Sequence, residues 1–422
     1  YKESTSDFYG PIVRSYDKTH SLAHYIAYTG PVEYLFSSLR DTDAEMADGG
    51  AEDRRMIRLY DLANTWGISG QMESHYVPPS KTMALRAIAY IAMHNGLSKR
   101  TFGMVWNSQL YYHTNVYPNN AEYLDAMEMW SNLTPTLKKL DQTIDTDPEV
   151  GLIMSWADLL YRQRCWRWYA LPSDQLQQAS GRANLGNSTW LTEWTPVEAF
   201  NKQKIIFAPE DATIWDAELI SKLDQYVQNG GTLVVVAGSG EYSPGATGSY
   251  SWLSSLGQTG ADISPATGGT VTWTDQGQFI TFEQTTSLTG FNGATVLAGS
   301  ASDPAVLSWN HGNGKVLLTA GKAIAEGDAD FLHQCMNWAS QSIPVMSTNS
   351  KIQAIWLEDE AKKYLVCSYF LDQNQILQLT DSTPVSATLT MDLAQGSWRY
   401  QQIYPAETTI INATSAELST TG

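Results

Sequence analysis

The hydrophobic pattern changes character twice along this 422-residue chain, and those changes predict an α/β protein in three parts. Residues 52–142 alternate amphipathic helical stretches with short apolar strands. Residues 150–348 carry continuous apolar runs with a helix between them, and from 350 onward the period falls to two. The expected fold is the C-terminal part of a (β/α)8 barrel, then a flavodoxin-like doubly wound domain, then a small antiparallel β-sandwich, at 1–145, 146–348 and 349–422.

In the first part, Met56, Leu59, Tyr60 and Ala63 fall on one face of a helix over 52–65, and Trp66 to Glu73 supply a strand. Pro78-Pro79 interrupts the chain. Ser80 can cap the next helix, whose apolar stripe is Met83, Ala84, Ala87, Ile88, Ile91 and Ala92, and Asn95-Gly96 closes it. A strand at Thr101 to Trp106 follows, then a loop rich in Tyr and Asn, then a long helix over about 121–141. Within the first fifty residues only Val32 to Phe36 reads as a strand.

In the second part, Val150 to Met154, Lys204 to Ala208, Thr232 to Val236 and Lys315 to Thr319 fit parallel strands buried on both faces. A helix is expected from Ile214 to Gln228, with Leu219, Ile220, Leu223 and Val227 inward and Asn229-Gly230-Gly231 ending it. Residues 239–312, dense in Gly, Ser and Thr, read as an excursion that is partly β, and a helix from Ala329 to Ser340 closes the domain. In the third part, strands are expected at 352–356, 364–370, 376–379 and 387–391.

Composition narrows the functional classes. With 44 acidic against 26 basic residues the formal charge is −18, spread along the chain, which argues against nucleic acid or an anionic membrane as partner. No run approaches the ~20 apolar residues that span a bilayer, and no signal-peptide pattern is present. Cys165, Cys335 and Cys367 match no disulfide framework or zinc spacing, so no metal and no cofactor is expected. Sequons at Asn132, Asn187 and Asn412 make these the candidate glycosylation sites and point to a secreted, extracellular protein. The 15 Trp and 22 Tyr suit carbohydrate binding, although core packing accounts for most such rings.

Glu73 and Trp106 end successive predicted strands, on the edge where a βα barrel keeps its active site. A carboxylate there can attack an anomeric carbon, and an indole can stack on a sugar ring. By position, His75, Tyr76 and Asn107 are hydrogen-bonding neighbours of the same mouth.

The order of parts, together with particular motifs, resembles the family-42 glycoside hydrolases, the beta-galactosidases with a trimerisation domain. Gln71-Met72-Glu73-Ser74, Pro78-Pro79 and the helix Leu85 to Gly96 resemble the family's nucleophile strand and following helix. Asp211 to Gly231, followed by Thr232-Leu233-Val234-Val235, resembles the amidotransferase-like trimerisation domain. The resemblance implies a retaining mechanism with Glu73 as nucleophile, Trp106 lining the sugar subsite, His113 binding a sugar hydroxyl, and a homo-oligomer, a trimer by analogy. The family's galactose-binding Glu falls here on Gln109 or Leu110, which leaves the sugar open.

The acid/base departs from the family pattern, because no Asn-Glu dipeptide occurs. Glu33 is the nearest carboxylate by sequence, but the pattern does not place the acid there. About seventy residues precede Glu73, against roughly 250 for a whole barrel. The acid/base is therefore expected on a missing segment or a companion chain carrying the N-terminal barrel. The opposing expectation is a catalytically inactive structural or assembly protein on the same scaffold.

Three other features read as unremarkable. His20 and His24 lack acidic partners at metal-binding spacing. Gly238 to Gly245 lacks phosphate-loop spacing and any Lys, and reads as a plain loop. No Cys follows the strand before it, which argues against amidotransferase chemistry.

Overall fold

The computed structural model describes residues 23–26, 44–48, 69–74, 104–106, 128, 132, 135, 144–145, 150–155, 188–210, 212–246, 248–266, 269–275, 278–321, 329–341, 345–347, 352–358, 363–369, 386–391, 398–400, 411–413 and 417–421. Four parallel strands form the first sheet: β1 (Ala23–Ile26), β2 (Ala44–Asp48), β3 (Ser69–Ser74) and β4 (Met104–Trp106), side by side in chain order. This order is that of consecutive strands in a βα barrel. Glu128, Asn132 and Pro135 are helical and exposed, at spacings that mark the outward face of the helix expected over 121–141. His24 lies on a strand and is level with Glu45. The strand expected at Val32 to Phe36 lies outside the described residues.

The next sheet has seven strands. Its parallel part consists of β6 (Val150–Ile153), β7 (Ser188–Leu191), β8 (Ile205–Ala208), β9 (Thr232–Val236) and β16 (Gly314–Thr319), arranged β7-β6-β8-β9-β16. Numbered by position in this unit the order is 2-1-3-4-5, that of flavodoxin-like sheets. β15 (Asp303–His311) and β14 (Thr295–Ser300) extend it with antiparallel pairing.

Every residue of β6, β8 and β9 is buried, as a sheet covered on both faces requires. Successive side chains enter opposite cores. Val150, Leu152, Ile205, Phe207, Val234 and Val236 pack with Phe331, Leu332, Cys335 and Met336 of α4 (Ala329–Trp338). Ile153, Ile206, Ala208, Leu233 and Val235 pack with Phe200 of α1 (Val197–Asn201) and with Leu219, Leu223, Tyr226 and Val227 of α2 (Ala217–Gln228).

Helix α2 begins three residues later than the hydrophobic stripe suggests. Asp216 is its N-cap: the backbone there is extended and the carboxylate accepts from the Leu219 amide at 2.7 Å. Ile214 is drawn instead into a β-bridge with Tyr242. At the other end, Gly230 takes a φ of +110°, a backbone conformation that favours glycine. Helix α4 likewise ends at Trp338, short of the expected Ser340, which has a φ of +58°.

The excursion covers both faces of this sheet. β10 (Asp262–Pro265) pairs with β13 (Thr286–Thr289), and Ile263 and Leu288 join the α2 side together with α3 (Trp252–Ser255). β11 (Thr270–Asp275) pairs with β12 (Gln278–Glu283), and Trp273, Ile280 and Phe282 join the α4 side, where Trp273 meets Phe331 edge-on at 6.1 Å.

Beyond residue 341 the described strands pair antiparallel where they join one another. β17 (Val345–Ser347), β20 (Ser386–Met391) and β23 (Glu417–Thr421) form one small sheet, and β21 (Trp398–Tyr400) pairs with β22 (Ile411–Ala413). β18 (Ile352–Glu358) pairs with β19 (Lys363–Tyr369) and, on its other edge, with β5 (Ile144–Asp145). The chain between the first two sheets thus lends two residues to the last part. The strand expected at 376–379 lies outside the described residues.

Candidate active site

Strands β2, β3 and β4 end together at the C-terminal edge of the first sheet. Asp48 is the register partner of Glu73, Glu73 of Val105, and Ser74 of Trp106. Register partners in a parallel sheet lie on the same face. Asp48, Glu73 and Val105 therefore form one layer, with Met46 and Gln71 in the layer below on that face. Trp106 stands one step nearer the edge than Glu73 and belongs with Ser74 to the alternate face. Neighbouring strands lie ~4.8 Å apart, so the backbones of Asp48 and Glu73 are separated by about one strand spacing.

Two of the residues expected at the mouth, Glu73 and Trp106, thus occupy adjacent strand ends, on alternate faces of the sheet. Tyr76, His75, Asn107, His113 and Glu33 lie outside the described residues. Among the sequons, Asn132 is exposed on a helix, Asn412 pairs in register with Arg399 on β22, and Asn187 lies outside the described residues. Asp48 gives little signal in the sequence. It sits in Ala44-Glu45-Met46-Ala47-Asp48-Gly49-Gly50, whose Ala, Glu and Met favour helix and whose Asp-Gly-Gly suggests a turn. Only the pairing with β3 places it beside Glu73.

The flavodoxin-like sheet has its own candidate region at the carboxyl ends of its parallel strands, where such sheets bind ligands. There the loop after β9 is built for packing. Gly238 has a φ of +108°, and the fully buried Ser239 donates its hydroxyl to the Ala212 carbonyl at 3.3 Å. Gly240, with a φ of +65°, leaves space that Trp215 and Trp252 fill: a Cβ there would lie 2.7 Å from both rings. The two indoles contact each other at 5.3 Å between ring centroids. Tyr250 closes the same loop through its backbone N–H, which donates to the Glu241 carbonyl at 2.9 Å, and burial, reinforced by Glu241, pushes its phenol up to about 12. These glycines serve ring packing and turn geometry.

Cys335 is fully buried in α4, remote from this turn in the sequence, and burial raises its thiol well above the ordinary range. Among the described residues, no group of three or more His, Cys, Asp or Glu is placed to hold a metal ion, and no helix is long and apolar enough to cross a membrane.

No family model and no curated protein matches the chain. Solved structures do. A catalytic mutant of Gan42B, a GH42 beta-galactosidase from G. stearothermophilus, superposes with a TM-score of 0.65 at 12% identity, over 97% of this chain and 64% of that one. The beta-galactosidase from Rahnella sp. R3 gives 0.67 at 12% identity, over 97% and 65%. An exo-carrageenase assigned to GH42 from Bacteroides ovatus gives 0.52 at 10% identity, over 98% and 53%. The chain spans less than two thirds of the length of these proteins. It has a mixed α/β, GH42-like fold, a glycoside hydrolase-like scaffold.

Proposed function

We propose that the chain is a retaining, beta-galactosidase-like glycoside hydrolase, or the C-terminal chain of one, with Glu73 as its nucleophile. The observation that carries this reading is the position of Glu73 at the C-terminal edge of the parallel sheet, one strand from Trp106, on a GH42-like scaffold. In the reaction the Glu73 carboxylate attacks the anomeric carbon while an acid protonates the departing oxygen. Water then cleaves the glycosyl ester and restores the carboxylate. The acid/base belongs to a barrel segment outside the described strands or to a companion chain. Trp106, one step nearer the strand ends than Glu73 and on the alternate face, provides a stacking ring at the rim of the site rather than in the layer of Glu73, and Asn107, Tyr76 and His113 provide hydrogen bonds to sugar hydroxyls.

The wider proposal comprises a barrel end, a flavodoxin-like oligomerisation domain and a β-sandwich, assembled as a homo-oligomer, with secretion and glycosylation at Asn132, Asn187 and Asn412. The exposure of Asn132 supports its accessibility. Galactose is the first glycone to test because several structural neighbours are beta-galactosidases, and the exo-carrageenase adds carrageenan to the set.

The test is hydrolysis of an activated aryl β-galactoside by the full chain and by Glu73→Ala, with and without azide. The proposal expects the variant to lose activity and to regain it with azide, giving the α-galactosyl azide. Equal activity in both proteins refutes Glu73 as nucleophile. Inactivity of the fully assembled wild type on every glycoside tried favours the structural or assembly role instead.

A further inference from the structure

Three Asn-Gly steps lie in the flavodoxin-like unit: Asn229-Gly230, Asn292-Gly293 and Asn313-Gly314. A fourth, Asn95-Gly96, lies outside the described residues. We propose that Asn292 is a site of spontaneous modification, where the side-chain amide is lost through a cyclic imide and the turn becomes a mixture of aspartyl and isoaspartyl forms. Asn is a thermally labile residue, and a following glycine exposes it further because no Cβ shields the glycine nitrogen that attacks. All three steps share that chemistry. What holds the glycine nitrogen decides which of them reacts.

At Asn229 the nitrogen is engaged: the Gly230 N–H donates to the Val227 carbonyl at 3.0 Å, at the end of α2. At Asn313 it is packed away. Gly314 is buried, is the register partner of His311 across the β15–β16 turn, and lies so close to the Val227 and Gly231 carbonyls that a Cβ would not fit. The Asn313 N–H is also fixed, donating to the Gln228 carbonyl at 3.1 Å. Either nitrogen must first break out of these contacts, which requires a local opening.

Asn292 differs on each count. Asn292 and Gly293 are both exposed in a turn, Gly293 has a φ of +69°, and a Cβ built on it would meet nothing within 4 Å. Among the described residues, no backbone carbonyl accepts from the Gly293 N–H. The Gly293 nitrogen gives up its proton and bonds to the Asn292 side-chain carbonyl carbon. The bond from that carbon to the side-chain nitrogen breaks, and ammonia leaves with the proton. Water then opens the ring at either carbonyl, giving aspartate on the original chain path or isoaspartate, in which the chain runs through the side chain.

The modification acts on a clasp. The Asn292 N–H donates to Gln258 Oε1 at 3.1 Å, and the Asn292 carbonyl accepts from Gln258 Nε2 at 3.2 Å, with Gln258 itself buried. In isoaspartate that carbonyl becomes a free carboxylate, and the chain gains a methylene between Phe291 and Ala294, both of which pack on the α2-side core. Phe291 also meets Trp309 at 5.7 Å between ring centroids. The turn therefore loosens where it joins Gln258 and Trp309.

The experiment ages the full chain at physiological temperature and mildly alkaline pH, in native buffer and in urea. Each Asn-Gly peptide is followed by mass mapping, with fragmentation that separates isoaspartate from aspartate. In native buffer Asn292 is expected to convert at least about five-fold faster than Asn229 or Asn313, the factor one backbone hydrogen bond corresponds to. In urea the three rates should converge, because the protection is structural. Equal native rates, a faster Asn229 or Asn313, or a difference that persists in urea overturns the proposal. So does conversion of Asn292 to aspartate without isoaspartate, which bypasses the imide. Aged wild type should also change its tryptophan emission while Asn292→Gln, whose longer side chain does not form this ring, keeps its own; equal changes in both refute the loosening of the turn.

Discussion

Tyr226 offers the sharpest test of how the flavodoxin-like unit is held together, because one phenol serves three backbone groups. Its ring is 2% exposed, and its hydroxyl accepts from the Thr232 amide at 3.1 Å. The same hydroxyl lies 3.2 Å from the Gln203 and Thr232 carbonyls, to either of which it can donate. Thr232 opens β9 and is itself buried, so Tyr226→Phe keeps the ring but leaves an amide at the start of the central strand without its acceptor. An orphaned buried donor costs about 1–3 kcal/mol, and the unchanged ring offers no compensating cavity or strain. For a unit of this size that corresponds to a loss of about 2–4 °C in melting temperature per kcal/mol. Differential scanning calorimetry of the full chain, read at the transition of this unit, gives the loss, and amide hydrogen exchange at Thr232 should accelerate in parallel. A transition moved by less than about half a kcal/mol, with Thr232 exchange unchanged, would refute the assignment of the phenol as acceptor.

Two further outcomes follow from the same unit. Gly240→Ala places a methyl 2.7 Å from Trp215 and Trp252 at a φ of +65°; strain and overpacking together should cost about 2–4 kcal/mol, visible as changed tryptophan emission and an earlier urea transition. Cys335, fully buried with a raised pKa, should resist iodoacetamide in the folded protein and react after unfolding, as peptide mass mapping would show; rapid labelling of the native chain would contradict its burial.

The sequence made the flavodoxin-like sheet legible because strands covered on both faces need continuous apolar runs, and Ile205 to Ala208 and Thr232 to Val236 have them. The strands of the first sheet were harder to read. Ala23 to Ile26 and Ala44 to Asp48 are short and mix polar with apolar residues, so neither period emerges, and both strands passed unnoticed in the sequence. Glu73 was legible because amphipathic stretches on either side of it, at helical spacing, framed a strand. Asp48 was not, since its relation to Glu73 is a matter of register between strands rather than of spacing along the chain. The start of α2 was misjudged for a local reason: hydrophobic spacing extended back to Ile214, while the Asp216 carboxylate fixes the first turn. The pairing of Ile144 and Asp145 with β18 is a long-range contact that no window of sequence displays.

The central claim is that Glu73 forms a covalent bond to sugar. Incubating the fully assembled protein with an activated 2-deoxy-2-fluoro-β-galactoside, followed by proteolysis and mass mapping, tests it directly. The account predicts one fluorosugar ester, carried on the peptide containing Gln71-Met72-Glu73-Ser74 and located at Glu73. An assembled protein that turns over galactosides yet carries no adduct there, or carries it on another carboxylate, would contradict the account.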